Sequence, residues 1–129
     1  MKPDEFLHAA RGACQIGRPV SASERARWKS RHPGLKLPND LLGFLKRANG
    51  VTFSAARLLP LREIRTATEI LYHDQEEADE SLPEGWLGLT DDVEELLMLD
   101  VRARRYLTLE GDVGGTFEDA LDWLHARYL

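Results

Sequence analysis

Apolar positions along this chain keep a helical rhythm at both ends and a strand rhythm in between. Phe6, Leu7, Ala10, Ala13 and Cys14 recur at helical spacing after Pro3 and predict a first helix ending near Gly12 or Gly17. Ser21-Ala22-Ser23-Glu24 has the capping-box pattern, in which a hydroxyl and a carboxylate three residues later satisfy the first free N–H groups; it predicts a second helix through Arg31, ended by His32-Pro33-Gly34. Trp28 is that helix's one large apolar anchor, and Arg25, Arg27, Lys29 and Arg31 leave most of its circumference to water or acidic groups. Leu41, Phe44, Leu45 and Ala48 stand at i, i+3, i+4 and i+7, so a third helix buries one face. Pro38 suits its first position, Asn39 and Asp40 its positive end, Lys46 and Arg47 its last turn, and Asn49-Gly50 its left-handed stop.

Beyond it, Val51-Thr52-Phe53 reads as a strand, and Leu61, Ile64, Thr68 and Leu71 mark the inward face of a helix over 61–71. Residues 72–85 read as a solvated connection. Trp86–Leu89, Glu95–Leu99 and Arg105–Leu109 are short apolar or alternating runs that predict a three-stranded meander. Glu110–Gly115 reads as a loop. Thr116 with Asp119 caps a last helix that turns Phe117, Ala120, Leu121, Leu124 and Tyr128 inward.

The run Leu37-Pro38-Asn39-Asp40-Leu41-Leu42-Gly43-Phe44-Leu45-Lys46-Arg47-Ala48-Asn49-Gly50, followed by the strand and by Leu58-Leu59-Pro60-Leu61-Arg62-Glu63-Ile64, resembles the SUKH superfamily. That superfamily holds the fungal Smi/Knr cell-wall regulators and many bacterial toxin-immunity proteins. The similarity covers Asn39 to the C-terminus and, more loosely, the helices in 1–36. Leu89-Thr90-Asp91-Asp92-Val93 departs from it, standing where members often carry glycines and an aromatic residue. The resemblance implies one α+β domain over 1–129, with helices packed on a mostly antiparallel sheet, and a binding protein rather than an enzyme.

Composition agrees with one domain. The chain has 129 residues, 43% hydrophobic and 30% charged, enough to bury about two thirds of its unfolded surface. No apolar run approaches the ~20 residues of a membrane helix, and Met1–Phe6 lacks a signal peptide's apolar core, which predicts a cytoplasmic protein. Cys14 is the single cysteine, so it forms no disulfide within the chain and reads as a small reduced thiol buried on a helix.

Charge changes the picture. Residues 1–71 hold 13 Lys or Arg against 6 Asp or Glu, a net of +7, and residues 72–129 hold 4 against 16, a net of −12. Between Arg65 and Arg102 there are twelve acids and no Lys or Arg. From this stretch Asp74, Glu76, Glu77, Asp79, Glu80, Asp91, Asp92, Glu94 and Glu95, with Trp86 as an apolar anchor, form a candidate patch for a basic partner. The plain alternatives are a solvated face for the acids, turn chemistry for Asp91 and Asp92, and a core position for Trp86.

Conventional chemistry finds little support. His8, His32, His73 and His125 are scattered, with none at metal-pair spacing, and His73-Asp74 with Glu76 and Glu77 matches an acidic surface as well as a cation site. No Gly-x-Ser-x-Gly elbow occurs, and Gly111–Gly115 lacks the lysine of a phosphate loop. A net charge of −5 and pI near 5.4 argue against nucleic acid as the partner of the basic helix. Three readings remain. The first, which the SUKH resemblance implies, is a toxin-neutralising binding protein that uses no cofactor and sets acids against a cationic toxin domain such as a nuclease. The second, implied by the resemblance to the fungal members, is a regulatory scaffold whose partner is a cellular protein. The third is a small cation-dependent hydrolase.

Overall fold

The computed structural model of the protein describes residues 1–72 and 82–129. Among these residues five helices, α1 (Pro3–Arg11), α2 (Ala22–Arg31), α3 (Asn39–Leu45), α4 (Ala67–Leu71) and α5 (Phe117–Tyr128), pack with two antiparallel sheets. The smaller sheet holds β1 (Gln15–Ile16), β2 (Val51–Thr52) and β3 (Arg57–Leu58) in that order. The larger is a five-stranded meander of β4 (Arg65–Thr66), β5 (Trp86–Gly88), β6 (Met98–Asp100), β7 (Arg105–Thr108) and β8 (Gly111–Gly114). The sheets meet where Leu58 bridges Thr90 and the Leu59 N–H donates to the Leu89 carbonyl at 2.8 Å. This is the expected α+β architecture, and no helix among the described residues is long and apolar enough to cross a membrane.

Aromatic rings join the helices to one another through a single core. Phe6 of α1 lies edge-on to Phe44 of α3 and to Phe53, with centroids 6.0 and 6.3 Å apart, and Phe117 of α5 joins Phe44 at 5.1 Å and Tyr106 at 5.7 Å. The four apolar residues read as the inward face of α3 are all buried. Asp40 ties the starts of two helices together, accepting from the Leu41 N–H at 2.8 Å and, through its other oxygen, from the Phe117 N–H at 2.8 Å. Burial and the nearby Asp40 carboxylate push the Tyr106 phenol well above its usual range.

Helix caps follow the sequence closely at two sites. Ser21 Oγ accepts from the Glu24 N–H at 3.1 Å, and Thr116 and Asp119 form the complete reciprocal box of α5. At α2 only half of the box forms, because the Glu24 carboxylate instead accepts from Asn49 Nδ2 at 2.7 Å. The Asn49 side chain also takes the Leu61 N–H at 2.8 Å, so this residue links α2, the end of α3 and the turn over Leu61–Glu63. Gly50 follows at φ +97°, where a Cβ would stand 3.0 Å from the Pro60 nitrogen, and Gly17 packs so closely that its Cβ would meet the Asn49 carbonyl oxygen at 2.2 Å.

Several expectations need correction. The helix expected over 61–71 is broken into a 3-10 turn, Leu61–Glu63, then extended β4, then α4. Thr66 starts α4 by accepting from the Glu69 N–H at 3.3 Å, so a second capping signal within the window outcompetes continuous helix. Glu110–Gly115 is largely strand, not loop, and the meander has five strands, not three. The run at 95–99 pairs only from Met98. Helix α1 stops at Arg11, so Cys14 lies between α1 and β1, half-buried, with burial pushing its thiol up. Helix α3 ends at Leu45, leaving Lys46 as its cap residue.

Candidate interaction site

The loop from Thr90 to Leu97 connects β5 to β6 and carries four of the candidate acids. Its stem is fixed by the backbone and by Thr90, the one buried polar residue among those described, whose hydroxyl accepts from the Leu97 N–H at 3.0 Å. The Leu89 N–H donates to the Leu97 carbonyl at 2.9 Å. Leu96 and Leu97 are buried, so the loop's C-terminal arm is anchored in the core.

Each arm of the loop is then tied to a different element. Asp91 receives the Arg57 backbone N–H at 2.7 Å and its Nε at 2.9 Å, and the same guanidinium holds Glu63 through two bonds of 2.9 and 3.0 Å. These bonds to Glu63 and Asp91 push the Arg57 pKa further above its already high value. Asp92 accepts from the Glu94 N–H at 3.2 Å, an Asx turn, and from the Tyr128 hydroxyl at 3.0 Å. Glu95 forms an ion pair with Arg127. Tyr128 in turn stacks on Phe53 with centroids 4.9 Å apart, and burial, helped by its bond to Asp92, raises its phenol to about 12.

What remains free on the loop is its tip. Val93 is 49% exposed, one of three large apolar side chains so placed among the described residues, and it stands between Asp92 and the exposed Glu94. The structure therefore brings Asp91, Asp92, Glu94 and Glu95 together around an apolar point, but does so with three of the four already bonded to Arg57, Tyr128 or Arg127. Trp86 does not join them. It is half-buried at the opposite end of the β5–β6 hairpin, paired with Asp100, whereas Gly88 and Met98 flank the loop. Asp74, Glu76, Glu77, Asp79 and Glu80, with His73, lie outside the described residues.

Arg57, Arg127 and Tyr128 were not marked by the sequence as parts of this site. Arg57 precedes Asp91 by 34 residues and Tyr128 follows Asp92 by 36, so no local spacing announces either contact. Among the described residues no group of three or more His, Cys, Asp or Glu side chains is placed to hold a metal ion. Among the described residues several hollows open to the surface, a wide one of about 840 Å³ being walled by His32, Thr66, Glu69, Tyr72 and Glu84. One of about 410 Å³ is walled by Arg18, Glu24, Asn49, Thr52 and Arg62, and one of about 290 Å³ by Asp40, Arg104 and Tyr106.

No curated protein and no solved structure matches the chain. The sequence model of the SMI1 / KNR4 family (SUKH-1) matches residues 19–119, from the approach to α2 to the first turn of α5. Helix α1 and most of α5 fall outside the match, yet both contribute to the same core. With more than half of its length matched, the chain belongs to the SMI1 / KNR4 family, the SUKH-1 branch of the superfamily that the Leu37–Ile64 run resembles.

Proposed function

We propose that the protein is a non-enzymatic binding protein of the cytoplasm that neutralises a cognate toxin by covering a cationic surface with the Asp91–Glu95 loop. One observation carries this reading: an exposed Val93 projects between acids on a loop that is pinned on both arms. An apolar anchor inside a polar ring is the usual make-up of an interface hot spot. Pinning the loop beforehand lowers the ordering cost of association. Four carboxylates against the two guanidiniums of Arg57 and Arg127 leave the loop negative, which favours encounter with a basic surface. Family membership supports a protein partner, and the toxin is the finer part of the proposal.

The neighbouring gene supplies the test. Its product, co-expressed with this chain, should co-purify with it, and Val93→Asp should weaken the complex at equilibrium. Glu94→Lys should slow association and flatten its salt dependence, since the Debye length falls from ~10 Å at 0.1 M salt to ~3 Å at 1 M. Unchanged binding by both variants would remove the loop from the interface. A neighbour that is a cellular regulator rather than a toxin, bound in the same way, would assign the protein to the scaffold class.

A further inference from the structure

Helix α2 displays what the acidic loop lacks, namely a run of charges that the described residues do not neutralise. Among those residues no carboxylate pairs with Arg25, Arg27, Lys29 or Arg31. Alongside α2 runs a groove of about 470 Å³, closed on its other side by the segment that leads into α3. Trp28, Leu37 and Leu61 form a buried floor, and half-buried Leu35 and Leu42 form walls. The rim carries Arg25, Lys29 and Lys36, and no acidic side chain among the described residues lines the groove.

The floor is built independently of any occupant. The Trp28 indole N–H donates to the Ile64 carbonyl at 2.9 Å, and the His32 ring lies 4.5 Å from the indole. Arg25 is drawn inward until its Nε is buried, with no acceptor among the described residues. That one N–H has lost its hydration without gaining an acceptor among the described residues, while the rest of the half-buried Arg25 side chain still reaches the rim, where a carboxylate can meet it.

We propose that this groove docks an acidic segment of a partner protein. A large apolar side chain sits on the Trp28–Leu61 floor, and flanking carboxylates meet Arg25, Lys29 and Lys36. A single-stranded nucleic acid would need an exposed aromatic face for stacking, whereas Trp28 is 4% exposed. A membrane would need protruding apolar side chains, and the large exposed ones among the described residues, Val93, Leu109 and Leu129, lie elsewhere. A concave apolar floor within a cationic rim fits a protein segment of opposite charge. This partner chemistry is the reverse of that assigned to the Asp91–Glu95 loop, so either site stands if the other fails.

Selection of peptides from a displayed random library on the full chain tests the groove whatever its natural partner is. The expected winners carry Asp or Glu on both sides of Leu, Ile, Phe or Trp. Lys29→Glu combined with Lys36→Glu should bind them roughly tenfold or more weakly, as expected from reversing two rim charges of about 1 kcal/mol each. The milder Lys29→Ala with Lys36→Ala should lose less in the same direction, both pairs melting cooperatively within a few degrees of the parent, and Glu110→Gln, at an exposed position in the β7–β8 turn, should change nothing. Winners without acidic bias, or equal binding by both lysine variants, would overturn the proposal. So would concentration-dependent self-association that the double reversal abolishes, because the occupant would then be a second copy.

Discussion

The β5–β6 loop and helix α2 carry charge runs of opposite sign, and the fold treats them in opposite ways. On the loop, Asp91, Asp92 and Glu95 are engaged by Arg57, Tyr128 and Arg127, so a run that looks like a bare acidic surface in sequence is largely an internal fastening. On α2 the cations have no such partners among the described residues, and Trp28 alone attaches the helix through a large apolar side chain. A count of charges along a chain therefore does not measure the charge offered to a partner. Among the described residues, long-range pairing removes part of one excess and leaves the other standing.

The largest effect expected from breaking this contrast is at the anchor of α2. Trp28→Ala removes a buried ring and its bond to Ile64, and should destabilise the protein by about 3–5 kcal/mol, read by urea or thermal unfolding. Val93→Ala, at the loop's exposed tip, should stay within about 0.5 kcal/mol of the parent. A small loss at Trp28 would mean that α2 is held by something other than its one large apolar residue.

Next comes the loop's fastening. Arg57→Ala leaves Asp91 and Glu63 without their shared guanidinium. These are charge-assisted bonds on a side chain 39% exposed, so the cost should be about 1–2 kcal/mol after discounting for solvent. The same change at Arg27, which has no pairing carboxylate among the described residues, should cost nothing measurable. Equal losses at the two arginines would erase the contrast.

Alkaline pH sharpens it from the side of α5. Tyr128 is raised to about 12 from 10.0, first by burial and then by its bond to Asp92, so the folded state holds its phenolic proton where the unfolded chain releases it. Stability from this group is full below pH 10 and falls as pH rises from 10 towards 12. Buried Tyr106 shifts in the same direction, so alkaline unfolding should remain in Tyr128→Phe but with a shallower slope over that interval. An unchanged slope would mean that the phenol does not brace the loop.

These elements also show where sequence reasoning reaches. Ser21, Thr116 and Asp119 were readable because a cap is a contact over three residues, and the face of α3 because its period is local. Thr66-Ala67-Thr68-Glu69 carried an equally local cap, overshadowed by the apolar spacing that runs through it. Two-residue strands such as Gln15–Ile16 have too few positions to show alternation, and the glycines that suggested a loop at 111–114 pair with β7 as a final edge strand. Of the candidate site, the acids at 91–95 were legible and their clustering is a consequence of sequence adjacency. Their partners were not, since Arg57, Arg127 and Tyr128 arrive only when the sheets and α5 are assembled.

The smallest expected effect bears most directly on why α2 keeps its charges. Arg25 with Lys29, and Arg27 with Arg31, are like charges at i, i+4, each pair costing about 0.2–0.5 kcal/mol on an isolated helix. Arg27→Glu turns the repulsion with Arg31 into an attraction but also turns the opposite-charge i, i+3 pair with Glu24 into a like-charge one, so stability should stay within about 0.5 kcal/mol of the parent. A larger loss would reveal an internal acid that already balances Arg27, and would make α2 a fastening like the loop. A gain that shrinks as salt is added would mean that the repulsion from Arg31 outweighs the attraction to Glu24, so that Arg27 is kept at a cost to the helix. Stability would then not account for Arg27, and its reason would lie in solvation of the helix surface or in recognition of an acidic group.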